Sequence, residues 1–144
     1  MIAYFDVNCD TGNIIYINVH TSKDIVVDWG DGNIETIKNS PLEHIYNSTG
    51  IFHVRIYGET DAFNEFEQSS NNIQSAIIQG DVYLNCTQIW AVHFNESTKP
   101  RITNLDLSKC INLAQIYYYG DENNKHALRV HLPQSQWLLY IYIY

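Results

Sequence analysis

The 144-residue sequence lacks the motifs that mark several large classes of protein. It contains no Gly-rich phosphate loop, no G-x-S-x-G elbow and no H-E-x-x-H pair, and no stretch has the periodicity of an amphipathic helix. No apolar run is long enough to cross a membrane, and the first residues lack the basic start and apolar core of a signal peptide. We therefore expect a soluble protein that is not an enzyme, needs no cofactor and does not insert into membranes.

Cysteines and basic residues are both scarce. The three cysteines, Cys9, Cys86 and Cys110, include no C-x-x-C pair, so they predict neither a disulfide framework nor a zinc site. We expect Cys86 and Cys110 to be buried free thiols, and Cys9, in a polar segment, to be the most reactive. Eight basic against sixteen acidic residues give a formal net charge of -8, which would repel nucleic acid.

One acidic segment invites a metal hypothesis. Asp6, Asn8, Asp10 and Gly12 resemble a calcium-binding loop. The glycine falls one position later than the EF-hand pattern requires, however, and no Glu follows at the last position of that pattern. We interpret the segment as a hairpin loop and predict no metal site.

The first sixty residues predict a small β-sandwich. Five short runs are rich in Val, Ile, Tyr or Phe and bounded by Gly, Asn, Asp or Ser: 2–7, 13–19, 25–29, 33–37 and 51–57. Between the third and fourth runs, Trp29-Gly30-Asp31-Gly32-Asn33 predicts a tight turn, because its glycines permit positive φ and the Asp31 carboxylate can accept bonds from backbone amides.

Three ordered motifs make residues 1–58 resemble the polycystic-kidney-disease-type (PKD) domain. They are Val27-Asp28-Trp29-Gly30-Asp31-Gly32, then His44-Ile45-Tyr46, then Gly50-Ile51-Phe52-His53-Val54-Arg55-Ile56. The resemblance implies an immunoglobulin-like sandwich that serves as a spacer or adhesion module, mostly in extracellular or cell-surface proteins.

The conspicuous residues of these motifs are expected to have structural roles. We expect Trp29 to fill the sandwich core and His44 and Tyr46 to brace the corner before the last strand. Asp31 and Gly32 belong to the turn. The pair Asp28 and Asp31 could also suggest acid and base catalysis, but their position in the turn explains both carboxylates better.

A spacing that recurs three times dominates the second half of the chain. Apolar or small residues fall at offsets of zero, three, six and eight in Cys86, Ile89, Val92 and Phe94, in Cys110, Leu113, Ile116 and Tyr118, and in Ser135, Leu138, Ile141 and Ile143. A period of about 25 residues with fixed apolar offsets is typical of stacked coils that bury their faces against each other. The pattern therefore predicts a β solenoid.

The stretch from 102 to 113 resembles the leucine-rich repeats of gut-bacterial surface proteins, in which PKD-like segments also occur in tandem. The prediction is thus an all-β protein with a PKD-like sandwich (1–58), a linker or cap (59–74) and a short leucine-rich-repeat-like solenoid (75–144). Ile73, Ile77 and Ile78 are expected to form a degenerate first coil. The resemblance favours an extracellular or cell-surface location.

Side-chain alternation predicts a binding surface on this solenoid. If Ile116 and Tyr118 point inward, their neighbours on the strand point outward. The equivalent residues of the preceding and following repeats are then expected to lie beside these neighbours on the same outer face. The predicted surface comprises His93, Gln115, Tyr117, Tyr119, Tyr140 and Tyr142. Tyrosine suits a protein interface. It also suits stacking on sugar rings, with Asn95, Asp121 or Glu122 bonding hydroxyls. Alternatively, the tyrosines pack on the sandwich or on a symmetry-related copy of the chain.

The final segment, 137–144, is apolar and has no charged side chain. A flat edge strand of this composition invites pairing with another strand. The partner is therefore predicted to be a protein, either a second copy of this chain or a different protein that adds a strand. A glycan is the alternative partner.

Overall fold

A computed structural model describes residues 1–10, 13–21, 23–39, 41–70, 74–123, 127–137 and 140–144. These residues form strands and one short 3-10 helix, Glu96–Thr98, which confirms the all-β expectation. No helix among them has the length and apolar character needed to cross a bilayer. The strands are β1 (Ala3–Asn8), β2 (Ile14–Asn18), β3 (Ile25–Asp28), β4 (Ile34–Ile37), β5 (Leu42–Ile45), β6 (Ile51–Tyr57), β7 (Glu65–Gln68), β8 (Ile77–Leu84), β9 (Ala91–Phe94), β10 (Arg101–Asp106), β11 (Gln115–Tyr118), β12 (Arg129–His131) and β13 (Tyr140–Ile143).

The strands form two mixed sheets. The seven-stranded sheet has the order β12-β10-β8-β1-β6-β3-β4, and the six-stranded sheet has the order β13-β11-β9-β7-β2-β5. Pairs among the N-terminal strands are antiparallel, whereas the later pairs are parallel. The antiparallel pair β1 and β8 joins the two regions in one sheet, and the pair β2 and β7 joins them in the other. Buried side chains from both sheets form one hydrophobic cluster.

From β7 onward, consecutive strands alternate between the two sheets. Strands that pair in parallel within the six-stranded sheet come from similar points of successive coils. The paired residues are 26, 24 and 25 positions apart in the sequence: Phe66 with Val92, Val92 with Ile116, and Ile116 with Ile141. Parallel strands need such a long crossover connection, and here the crossover is a strand of the opposite sheet. Apolar side chains at constant offsets therefore stack into continuous inner rows.

Each of the five predicted N-terminal strands is present, with ends that differ from the prediction by at most one residue. The structure adds two strands. One is β5, in the segment of His44. The other is β7, in the predicted linker 59–74, where Phe63 and Phe66 are fully buried. In the six-stranded sheet the parallel row begins with β7, and in the seven-stranded sheet it begins with β8, whose first residues are Ile77 and Ile78. Ile73 lies outside the described residues.

The turn between β3 and β4 is packed by aromatic side chains. Trp29 is fully buried, and the His44 ring stacks on it with centroids 4.7 Å apart and planes 6° apart. Nε2 of His44 lies 2.7 Å from Oδ2 of Asp31, whose Oδ1 accepts the backbone N–H of Asn33 at 3.0 Å. Gly32 has a φ of +95°, a value that favours glycine. These contacts fix the turn against the core.

All three cysteines are free and buried. Cys9, predicted to be the most reactive of the three, is only 4% exposed, and burial, reinforced by Asp10 and Asp31, raises its thiol pKa to about 11. Burial raises the pKa of Cys110 to about 11 as well. Because the thiolate is the reactive form, these thiols are poor nucleophiles at neutral pH.

The acidic N-terminal segment makes hydrogen bonds within the protein. Oδ1 of Asp6 lies 2.6 Å from Nδ1 of His53, and Nδ2 of Asn8 donates to Oε1 of Gln79 at 3.0 Å. Gly12 lies outside the described residues. In the part of the chain that the structure describes, no group of three or more His, Cys, Asp or Glu side chains is arranged to hold a metal ion.

Candidate binding surface on the six-stranded sheet

The register of the parallel strands positions the surface. Gln115 lies between Ala91 and Tyr140, and Tyr117 lies between His93 and Tyr142, which is the register that the repeat spacing predicts. Ile116 is fully buried and Tyr118 is 4% exposed, so both point into the core. Because strand side chains alternate faces, Gln115, Tyr117 and Tyr119 point outward.

Five tyrosines form the aromatic part of this outer face. We call this face the tyrosine surface; it comprises Tyr117, Tyr119, Tyr140, Tyr142 and Tyr144, with His93 and Gln115 at one side. Tyr117 stacks on Tyr142 at 4.9 Å and 8°, and Tyr119 stacks on Tyr144 at 4.8 Å and 10°. Tyr140 continues the row beside Tyr142 at 6.0 Å and 6°. Each ring is supported by its neighbour, which keeps the side chains in place without burying them.

The side of the surface toward β7 is polar. Nε2 of His93 lies 2.8 Å from Oε1 of Gln115, and its Nδ1 lies 3.3 Å from Oε2 of Glu67. The imidazole thus connects three neighbouring strands on the outer face. A partner that covers the surface would meet aromatic rings at one end and a carboxylate, an imidazole and an amide at the other.

The tyrosine hydroxyls influence one another. The adjacent Tyr119 hydroxyl, together with desolvation, raises the pKa of Tyr117 to about 12. Hydrogen bonding to Tyr119 and Tyr144 also raises the pKa of Tyr142, and the Tyr119 and Tyr142 hydroxyl oxygens are 3.5 Å apart. The two phenols are therefore neutral at physiological pH and can donate hydrogen bonds to a ligand.

A cavity of about 630 Å³ opens beside the tyrosine surface, at the carboxyl ends of β9, β11 and β13. Its walls include Tyr119 and Tyr144, and its charged lining residues are Glu96, Lys99, Asp121 and Glu122. The size is in the usual range for small-molecule sites, roughly 300–1,000 Å³. Aromatic walls and polar groups together suit a ligand that has both an apolar face and hydroxyl groups.

Asp121 is unsuited to direct ligand contact. It is 5% exposed, and its carboxylate accepts hydrogen bonds from Nε of Arg101 at 2.9 Å and from the backbone N–H of Asn123 at 3.1 Å. Burial opposes its charge, but these bonds hold the pKa of Asp121 below its ordinary value. Of the two acidic residues that follow β11, Glu122 is the exposed one.

Two parts of the site were missed from the sequence. Glu67, which contacts His93, belongs to β7, and a signal for β7 exists because Thr60, Phe63, Phe66 and Gln68 repeat the offsets of zero, three, six and eight. Lys99 and Glu96 border the cavity but follow no repeat position, so no pattern could have found them.

Comparison with known proteins gives no assignment: no family model, curated protein or solved structure matches the chain.

Proposed function

We propose that the chain is a non-enzymatic binding module whose tyrosine surface binds a protein partner. The observation that carries this proposal is the alignment of five tyrosines on one outward sheet face, with Tyr140 49% and Tyr144 68% exposed. Tyrosine provides a large, rigid contact area at low entropic cost and is enriched at protein interfaces. Because neighbouring rings already support each other, binding would order few additional side chains.

The family resemblances supply a setting for this function. We propose that residues 1–58 are a PKD-like sandwich and that residues 75–144 are a leucine-rich-repeat-like solenoid. The parallel pairing of strands about 25 residues apart supports the second assignment, and the packing of Trp29, His44 and Tyr46 around the turn supports the first. Such a pair of modules would act in adhesion at a cell surface or outside the cell.

Carbohydrate binding is the second candidate, and the cavity is the observation that favours it. A sugar ring could stack on Tyr119 or Tyr144, while Lys99 and Glu122 could bond its hydroxyls. This site would take a neutral polyhydroxylated ligand, because acidic and basic groups both line it.

Two matched tyrosine pairs test the proposal. The double variant Tyr117→Ala with Tyr142→Ala removes a stacked pair from the tyrosine surface, whereas Tyr4→Ala with Tyr83→Ala removes a pair stacked at 5.5 Å and 23° on the other sheet. Peptides selected on the parent chain from a displayed random library should lose affinity for the first variant and keep it for the second.

A glycan array measured with the same proteins separates the two candidates. We expect no glycan signal from the parent chain. Glycan binding that Tyr119→Ala with Tyr144→Ala abolishes would favour carbohydrate recognition at the cavity instead. If the first two double variants bind selected peptides equally well, the tyrosine surface is not the binding site.

A further inference from the structure

β13 presents a free backbone edge in the described structure, as the outermost strand of the six-stranded sheet. The N–H of Tyr140 donates to the Ala114 carbonyl at 3.2 Å, and the N–H of Tyr144 donates to the Tyr118 carbonyl at 2.9 Å. Because backbone groups alternate sides along a strand, the N–H and C=O groups of Ile141 and Ile143 point away from β11. They are available to another strand.

The side chains of the same two residues are incompletely covered. Ile141 and Ile143 are each 47% exposed, although the residues beside them in β11, Ile116 and Tyr118, are 0% and 4% exposed. The inner apolar row therefore continues to β13, but the two isoleucine side chains there are partly exposed to solvent. An additional strand at this edge would pair the backbone and shield both isoleucines.

The sequence of β13 and the following residue is symmetric. Tyr140-Ile141-Tyr142-Ile143-Tyr144 reads the same in both directions about Tyr142. A two-fold interface requires a patch that is complementary to itself, and such a segment meets that requirement when it pairs antiparallel with its own copy. No side chain from 132 to 144 is charged, so this edge avoids the repulsion that two chains of net charge -8 meet elsewhere.

We propose that a second copy of this chain pairs edge to edge with β13, antiparallel, about a two-fold axis that passes midway between Tyr142 and the same residue of the second copy. Ile141 then lies opposite Ile143 of the second copy, and each of the two residues donates its N–H to the carbonyl oxygen of the other. The two-fold axis repeats this arrangement for Ile143 and Ile141 of the second copy. Tyr142 lies opposite Tyr142 of the second copy, without hydrogen bonds between their backbones. The axis is perpendicular to the sheet, so tyrosines meet tyrosines on the outer face.

The dimer leaves the outer face of both copies open. Its formation therefore does not depend on what the tyrosine surface binds, and a failure of one proposal leaves the other standing. In the dimer the two tyrosine surfaces would join into one continuous aromatic face across the axis.

Sedimentation of a matched pair of variants provides the first test. Ile143→Pro removes the outward N–H but none of the bonds that β13 donates to β11, since those come from the tyrosines. Ile143→Val keeps the backbone donor and the apolar character. We expect the parent chain and Ile143→Val to sediment as dimers and Ile143→Pro as a monomer. A monomeric parent chain, or a dimer that Ile143→Pro leaves intact, would overturn the proposal.

A cross-linking experiment tests the axis itself and remains informative if the proline variant does not fold. Residues in a non-hydrogen-bonded antiparallel pair have Cα atoms about 4.5 Å apart, which a disulfide can span. Tyr142→Cys should therefore form a disulfide-linked dimer on mild oxidation, because this position faces its own copy. Tyr140→Cys faces Tyr144 of the second copy and should remain unlinked. The native cysteines are buried and should not contribute. Equal cross-linking of the two variants, or none in either, would contradict the proposed pairing.

Discussion

The Tyr46 hydroxyl donates a hydrogen bond of 2.8 Å to the carbonyl oxygen of Trp29 across the N-terminal part of the core. Both side chains are fully buried. His44 contacts both residues, because its ring stacks on Trp29 and is perpendicular to the Tyr46 ring. One hydrogen bond thus connects the turn after β3 with the segment after β5.

Replacing Tyr46 should show how much this bond stabilises the fold. Tyr46→Phe keeps the ring but leaves the buried Trp29 carbonyl without its donor, which costs about 1–3 kcal/mol. Tyr57→Phe, at a position that is 43% exposed, is the matched control and should change little. Urea unfolding followed by circular dichroism gives the two free energies of unfolding; equal values would show that the bond contributes nothing.

The two glycines of the turn should differ in their tolerance of alanine. Gly30 and Gly32 both have positive φ, +83° and +95°, so alanine is strained by about 1–2 kcal/mol at either position. A Cβ at Gly30 would also lie 2.5 Å from the carbonyl oxygen of His53, whereas a Cβ at Gly32 would meet nothing within 4 Å. Gly30→Ala should therefore lower the thermal midpoint more than Gly32→Ala does. The reverse order would contradict the close approach of Gly30 to β6.

Phe66 tests whether the segment 59–74 belongs to the core. The centroid of its ring lies 5.9 Å from that of Phe5 in the opposite sheet and 5.9 Å from that of Phe94 in the neighbouring strand. Truncation of a buried Phe costs about 3–5 kcal/mol, so Phe66→Ala should lower the free energy of unfolding by that amount. Val26→Ala, at a position that is 38% exposed, is the control. A loss below about 1 kcal/mol would be typical of a surface position and would contradict the observed packing.

Alkaline pH should destabilise the protein through its buried thiols. Burial raises the thiol pKa of Cys9 and Cys110 from 9.0 to about 11, so the unfolded chain releases these protons at lower pH than the folded chain does. The stability associated with the raised pKa is complete below pH 9.0 and is lost progressively as the pH rises toward about 11. Urea midpoints measured over this range should fall. Cys110→Ala should show a shallower decline, and an unchanged slope would exclude the Cys110 thiol as a cause.

The register of β9, β11 and β13 could be predicted because two simple rules determine it. Constant offsets between coils identify which residues are neighbours, and alternation along a strand separates inner from outer positions. These rules alone predict that Tyr117 lies beside Tyr142, and the structure has the same pair. Short-range patterns were sufficient here because each coil repeats the one before it.

Other features depend on contacts that spacing does not encode. β7 was hidden because polar Gln68 occupies the position that Phe94 holds in the next strand, and the acidic residues around it are typical of a linker. Cys9 lies in a polar segment, but its backbone N–H bonds to the Gly50 carbonyl at 2.9 Å, which places the thiol in the core. The cavity is assembled from the ends of three strands, so no local pattern describes it.

Because β7, β9, β11 and β13 pair in parallel with one strand per coil, the width of the six-stranded sheet depends on the number of coils. Each additional coil of this kind would advance the outer face by one inter-strand spacing, about 4.8 Å, while leaving the N-terminal strands untouched. Tandem duplication of one such unit could therefore match the protein to a larger target by lengthening it in fixed increments.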